Sequence, residues 1–115
     1  MKPHETVSKI KLRTLDGHAS FEPTKIVRFE ADKNYVLLYQ IDQPKPERIH
    51  YRFVDIEKFI VDNEMIQFFK CHRSHIVNLD HIKRFKEKAR TLVTEQGEIP
   101  ISEDRLDDFR DIFCS

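Results

Sequence analysis

Glycine is scarce in this 115-residue chain, at two residues, and proline is modest at five, which excludes collagen-like, low-complexity and linker-type chains. Cysteine is as rare. Cys71 and Cys114 are too few for a disulfide scaffold and suit a reducing compartment, so a cytoplasmic location is expected. Long hydrophobic runs are missing: the stretch Tyr35-Val36-Leu37-Leu38-Tyr39 falls far short of the ~20 apolar residues a membrane helix needs. The start, Met1-Lys2-Pro3-His4-Glu5, lacks the apolar core of a secretory signal. Net charge is absent too, with 20 Lys and Arg against 20 Asp and Glu. Taken alone, that speaks against non-specific nucleic-acid binding, which leans on basic surface.

What is present is apolar surface. Nine Phe, three Tyr and 39% apolar residues are enough to offset the entropy of ordering, so a disordered chain is excluded and one thin-cored domain is expected. Residues 1–7 read as a flexible N-terminal extension and 8–115 as the domain. The charges are also segregated. Residues 66–90 hold seven basic residues against two acidic, and residues 91–115 hold two basic against seven acidic. A basic block of this kind hints at an anionic partner.

Ile10-Lys11-Leu12-Arg13-Thr14-Leu15 alternates as a strand up to the turn Asp16-Gly17, and Ala19 to Glu22 returns as a short strand. Lys25 to Ala31 and Tyr35 to Ile41 read as strands joined at Asp32-Lys33-Asn34, and Arg48 to Phe53 alternates again. Ile56, Phe59 and Ile60 then recur at helical spacing, predicting a helix over 55–63 capped by Asp55. Ile66 to Phe69 is extended and Cys71 to His75 irregular. Ile82 to Lys86 and Thr91 to Thr94 form a hairpin, and Glu98 to Ile101 a further strand. A closing helix starts at Ser102, with Leu106, Phe109, Ile112 and Phe113 as its apolar stripe. Strands first and a helix last, without a βαβ rhythm, argue for a mainly β fold and against a parallel sheet.

The sharpest segment is Phe69-Lys70-Cys71-His72-Arg73-Ser74-His75-Ile76-Val77. Apolar anchors bracket a polar centre, and an arginine held between them suits phosphate oxygens or a guanine edge, because its fork makes two parallel hydrogen bonds. The alternative for Arg73 is a fold-internal ion pair. Cys71, His72 and His75 also suit zinc by ligand type, with Cys114 or His81 as the fourth ligand. The set lacks a paired Cys-x-x-Cys, and packing is the better account of the histidines. Cys71 reads as a loop residue whose exposure beside His72 and Lys70 would make its thiol acidic. No glycine-rich phosphate loop, nucleophile elbow or His-Glu-x-x-His is present, so neither an enzyme nor a cofactor is expected. Phe21, Phe29, Phe53, Phe59 and Phe69 fit core packing better than base stacking.

Ile26-Val27-Arg28-Phe29-Glu30-Ala31-Asp32-Lys33-Asn34-Tyr35, Phe69 to Asn78, and Glu98-Ile99-Pro100-Ile101-Ser102 before the closing helix together resemble the LytTR DNA-binding domains of bacterial transcriptional regulators, over residues 8–113. The resemblance implies an elongated antiparallel β arrangement with one short internal helix and a C-terminal helix. It also implies that loops, in place of a recognition helix, enter successive major grooves of double-stranded DNA. By similarity the loops lie around Lys33, Asn34 and Tyr35, around His72, Arg73, Ser74 and Asn78, and around Ser102, Asp104 and Arg105. Asn34, Arg73 and Arg105 are then readers of bases, while Lys70, Lys86, Lys88 and Arg90 hold phosphates. Two protomers on direct repeats are implied, with a receiver domain if the native chain is longer, and no membrane. One departure is plain: Glu103 and Asp104 follow Ser102 where relatives often place a basic residue. The acidic tail and zero net charge leave a second reading open, a β-rich protein-interaction module that has lost DNA binding.

Overall fold

The computed structural model describes residues 9–114, so the expected N-terminal extension over 1–7 lies outside the described residues. Ten strands alternate with two helices: β1 Ile10–Thr14, β2 Gly17–Phe21, β3 Ile26–Asp32, β4 Tyr35–Gln40, β5 Glu47–Ile49, α1 Phe53–Asp62, β6 Phe68–His72, β7 His75–Asn78, β8 Ile82–Lys86, β9 Thr91–Thr94, β10 Gly97–Pro100 and α2 Leu106–Phe113. Every strand pairing is antiparallel. Seven strands form one sheet in the order β2-β1-β5-β4-β3-β7-β6, and β10-β9-β8 form a second. The described residues form a broad slab, 41 × 40 × 26 Å, in place of the elongation expected along one axis.

Two apolar cores hold the slab together, and the strands between them serve both. Phe29, Phe68 and Ile76 pack with Leu12, Val36, Leu38 and Ile49 under α1, which inserts Ile56 and Ile60. Neighbouring residues on the same strands, Phe69, Cys71 and Val77, turn the other way and pack with Leu92, Ile99, Ile101 and Phe109 of α2. This is strand alternation used on both faces. Phe109 is fully buried, contacting Phe69, Phe85 and Phe113 at centroid distances of 5.8, 4.9 and 5.0 Å. Burial of one such side chain contributes about 1.5–3 kcal/mol. The expected four-residue stripe of α2 is only half used: Leu106 and Phe109 pack, whereas Ile112 is 53% and Phe113 37% exposed.

Arg28 on β3 joins the two sheets. It is buried, and a buried charge must be compensated. Its Nε donates to the Gln96 carbonyl at 2.9 Å, its Nη1 to Glu30 Oε1 at 2.8 Å, and its guanidinium lies 3.7 Å from the Tyr39 ring centroid. Gln96 in turn donates to the carbonyls of Gln40 and Gln43, pinning the β9–β10 turn to the large sheet. Gly97 completes that turn at φ +97°, a conformation strained for any L side chain.

Several local expectations need correction. The helix begins at Phe53, not behind Asp55. Arg52 is the N-cap and Asp55 stands three residues inside, where its carboxylate accepts the Arg52 amide at 3.3 Å. An acid at that position serves the cap from inside the first turn. That early start cuts the expected strand over 48–53 down to β5, which ends at Ile49. The segment Cys71 to His75 is no irregular loop. It is the tip of the β6–β7 hairpin, with a register shift between Lys70 and His72 that hides the alternation. Ser102 precedes a short 3-10 turn over Glu103–Arg105 and makes no side-chain cap to it.

Candidate nucleic-acid interface

Two hairpin tips and one docked segment meet at an end of the large sheet. The β3–β4 tip turns at Lys33-Asn34, with Asp32 opposite Tyr35. Lys33 sits at φ 57°, a left-handed conformation that costs about 1–2 kcal/mol for a non-glycine residue. The β6–β7 tip turns at Arg73-Ser74, with His72 opposite His75. Because β3 pairs with β7, the two tips are neighbours: the Ala31 amide donates to the Ser74 carbonyl at 2.9 Å, one step beyond the Glu30–His75 pair.

The third piece is the segment from Ser102 to Arg105. β6 is the outermost strand of its sheet, and its free edge is covered here. The Ser102 amide donates to the Cys71 carbonyl at 2.9 Å, and Arg105 Nε donates to the Lys70 carbonyl at the same distance. The Arg105 guanidinium also lies 4.7 Å from the Phe69 ring centroid and pairs with Asp108 at 2.8 Å. Lys70, His72, Arg73, Ser102, Asp104 and Arg105 therefore line one open groove of about 710 Å³, with Glu57 of α1 as its remaining wall.

Individual side chains differ in how free they are. Arg73 is exposed and forms no ion pair among the described residues, which removes the fold-internal role considered for it. Lys70 pairs with Glu57 at 3.0 Å, with both side chains about a third exposed, a contact worth at most about 1 kcal/mol. Asp104 is exposed, and hydrogen bonding to Ser102 is the main cause that holds its carboxyl below the usual range, with the nearby Arg105 and His72 adding to it. The Ser102 hydroxyl also donates to the Cys71 carbonyl at 3.4 Å. Tyr35 is 38% exposed, its ring tilted at 44° against His50 with centroids 4.8 Å apart, and the Arg48 guanidinium lies 5.5 Å from its centroid. Asn34 and Lys33 are exposed beside it.

Two expectations, for Asn78 and for Cys71, do not survive. Asn78 is fully buried: its Nδ2 donates to the Ile26 carbonyl at 2.8 Å and its Oδ1 accepts the Asp80 amide at 2.9 Å. It bridges β7 to the turn before β3 and has no group left for a ligand. Cys71 is fully buried too, and desolvation pushes its thiol up to about 12, the reverse of the acidic loop thiol expected. His81 donates to the Thr24 carbonyl at 2.7 Å, and among the described residues no three His, Cys, Asp or Glu side chains are grouped to hold a metal ion.

Lys86 and Lys88 do not line the groove. Lys86 pairs with Glu98 at 3.1 Å, whereas Lys88, at the β8–β9 tip, is exposed with no ion pair among the described residues. The segregated charges of the sequence are matched to each other in space only in part: Arg110 meets Glu87 at 2.7 Å and Arg90 meets Glu103 at 3.4 Å. Glu57 and Arg48 were not readable as groove and tip residues. Each reaches its partner across the fold, and no local spacing announces it.

The family model of the LytTr DNA-binding domain matches residues 17–113. Among solved structures, the chain is similar to the LytTr DNA-binding domain of a putative methyl-accepting/DNA response regulator from Bacillus cereus, at 25% identity and a TM-score of 0.69, over 91% of this chain and 95% of that one. No curated protein matches it. Among the described residues no helix is long and apolar enough to cross a membrane.

Proposed function

The chain belongs to the LytTR family of DNA-binding domains, and from that membership we propose that it binds double-stranded DNA in a sequence-specific way, as the cytoplasmic output domain of a bacterial response regulator. The loops enter the major groove. Arg73, Asn34 and Arg105 face base edges, while Lys33, Lys70, Ser74, Ser102 and Lys88 hold the backbone. Arg105 has only part of its fork free for this, since its Nε is committed to Lys70. Lys86 reaches phosphate only by leaving Glu98. Two protomers occupy direct repeats, and a receiver domain in the native chain controls them.

The observation that carries this reading is the groove. Residues from β6, its hairpin tip and the segment after β10 converge on one surface, and the Ala31–Ser74 bond sets a second tip beside it. Selection from random duplexes, followed by titration of the winning sequence, tests it. The expected result is one preferred duplex whose affinity falls with salt and falls further in Arg73→Ala. A specific observation also favours the second reading, a protein-interaction module: Lys70, Lys86, Arg90, Arg105 and Arg110 are all paired with acids. Failure to enrich any duplex decides for it.

A further inference from the structure

We infer that His72 is a hydrogen-bond donor of fixed tautomer at the DNA surface, presenting Nε2–H to an acceptor on the nucleic acid. The inference rests on the reading that the β6–β7 tip meets DNA. The Ser74 amide donates to His72 Nδ1 at 3.1 Å, across the two-residue turn. That bond needs the Nδ1 lone pair, so while it stands the ring proton is on Nε2. The turn cannot easily give this bond up. Ser74 has already committed its carbonyl to Ala31, and the His72 ring is held edge-on against His75 with centroids 5.4 Å apart.

The other side of the ring is free. Among the described residues His72 Nε2 makes no hydrogen bond, and it is not one of the buried unpartnered nitrogens, which are His50 Nε2 and His75 Nδ1. His72 lines the groove between Lys70 and Arg73. A neutral imidazole therefore offers one N–H there and no acceptor. Purine N7, guanine O6, thymine O4 and phosphate oxygens accept such a donor, whereas the exocyclic amines of cytosine and adenine, being donors, are refused. Arg73 beside it is also donor-only. His72 and Arg73 together thus discriminate by acceptor pattern, and Asp104, the groove's exposed carboxylate, stands apart as an anionic acceptor with no ion pair among the described residues.

Two measurements on the full chain test this. Nitrogen-15 shifts of the His72 ring, recorded at mildly alkaline pH, are expected to show an acceptor-type Nδ1 and a protonated Nε2; the opposite assignment overturns the inference. His72→Asn places an amide oxygen where Nδ1 was, preserving the Ser74 bond, and removes the Nε2 donor. The expected result is a folded protein with about three- to tenfold weaker binding to the selected duplex. Replacing purines by 7-deazapurines, or single phosphates by methylphosphonates, along that duplex then locates the acceptor. One substitution weakens the unaltered protein and leaves His72→Asn unaffected, and its type tells base edge from backbone. His72→Asn that binds and discriminates like the parent overturns the inference alone. If the parent enriches no duplex, the DNA reading itself fails. Should His72→Asn fail to fold, His72→Gln, which returns a donor near the Nε2 position, is expected to keep the 7-deazapurine or methylphosphonate response, and its loss counts against the inference.

Discussion

The Ala31 amide and the Ser74 carbonyl, 2.9 Å apart, tie together two hairpin tips that lie about forty residues apart in the chain. Through that bond the Lys33-Asn34 turn and the Arg73-Ser74 turn share one backbone frame. Arginine and asparagine side chains on such a frame lose less freedom on binding than on loops that move separately.

Arg73→Ala is expected to cost about 1–3 kcal/mol of binding to the preferred duplex and to relax specificity at one position. Arg73 is exposed and unpaired among the described residues, so the melting midpoint should hardly move. Calorimetric melting beside a binding titration checks both halves. A large drop in melting temperature would mean that the arginine serves the fold.

Asn78→Ala should do the opposite. It strands the buried Ile26 carbonyl, which costs about 1–3 kcal/mol when left unsatisfied, and also removes the part-buried bond to the Asp80 amide. Urea unfolding should show the loss, while the folded fraction binds DNA as before. Intact stability with lost binding would put Asn78 back among the contacts.

Cys71 links pH to stability. Burial raises its thiol from 9.0 to about 12, so the folded state keeps the proton that the unfolded state releases. The contribution of this group is fully present below about pH 9 and is lost as pH rises toward 12. Thiol labelling offers a direct check. Exposed Cys114 should react at once and Cys71 only on unfolding. Fast reaction of both thiols in the folded protein would contradict the placement of Cys71.

Asp104→Asn should tighten binding to every duplex and steepen its salt dependence, because an exposed, ionised carboxylate in the groove repels phosphate. The alternative is a carboxylate that accepts from a cytosine amine. Weaker binding to the preferred duplex alone, with altered preference at one position, would establish it.

Much of this was legible in the sequence, and the reason differs by element. The β8–β9 hairpin was readable because Thr91 to Thr94 alternates cleanly and Ile82 and Phe85 mark β8 as apolar on one side, even though a register shift between Ile82 and Arg84 breaks its period. Helix α1 was readable in its period, through Ile56, Phe59 and Ile60, but not in its start, because Asp55 acts from inside the first turn. The β6–β7 tip was recognised by its residues and misread in its shape, since the register shift at Cys71 breaks the two-residue period. Asn78 shows the limit of local reading. A buried asparagine and a DNA-facing one look alike until Ile26, 52 residues away, is seen to accept its amide. The pairing of Lys70 with Glu57 was hidden for the same reason: it depends on how α1 packs across the sheet.

The central claim is that the two hairpin tips and the segment after Ser102 form one DNA-binding surface. Amide NMR of the chain titrated with its selected duplex tests it most directly. The expected result is that the largest shifts cluster at Lys33 to Tyr35, Lys70 to Ser74 and Ser102 to Arg105, with Asn78 and the buried Ile56 and Ile60 of α1 unmoved. Shifts concentrated on β1, α1 or α2, with those three stretches silent, would contradict it.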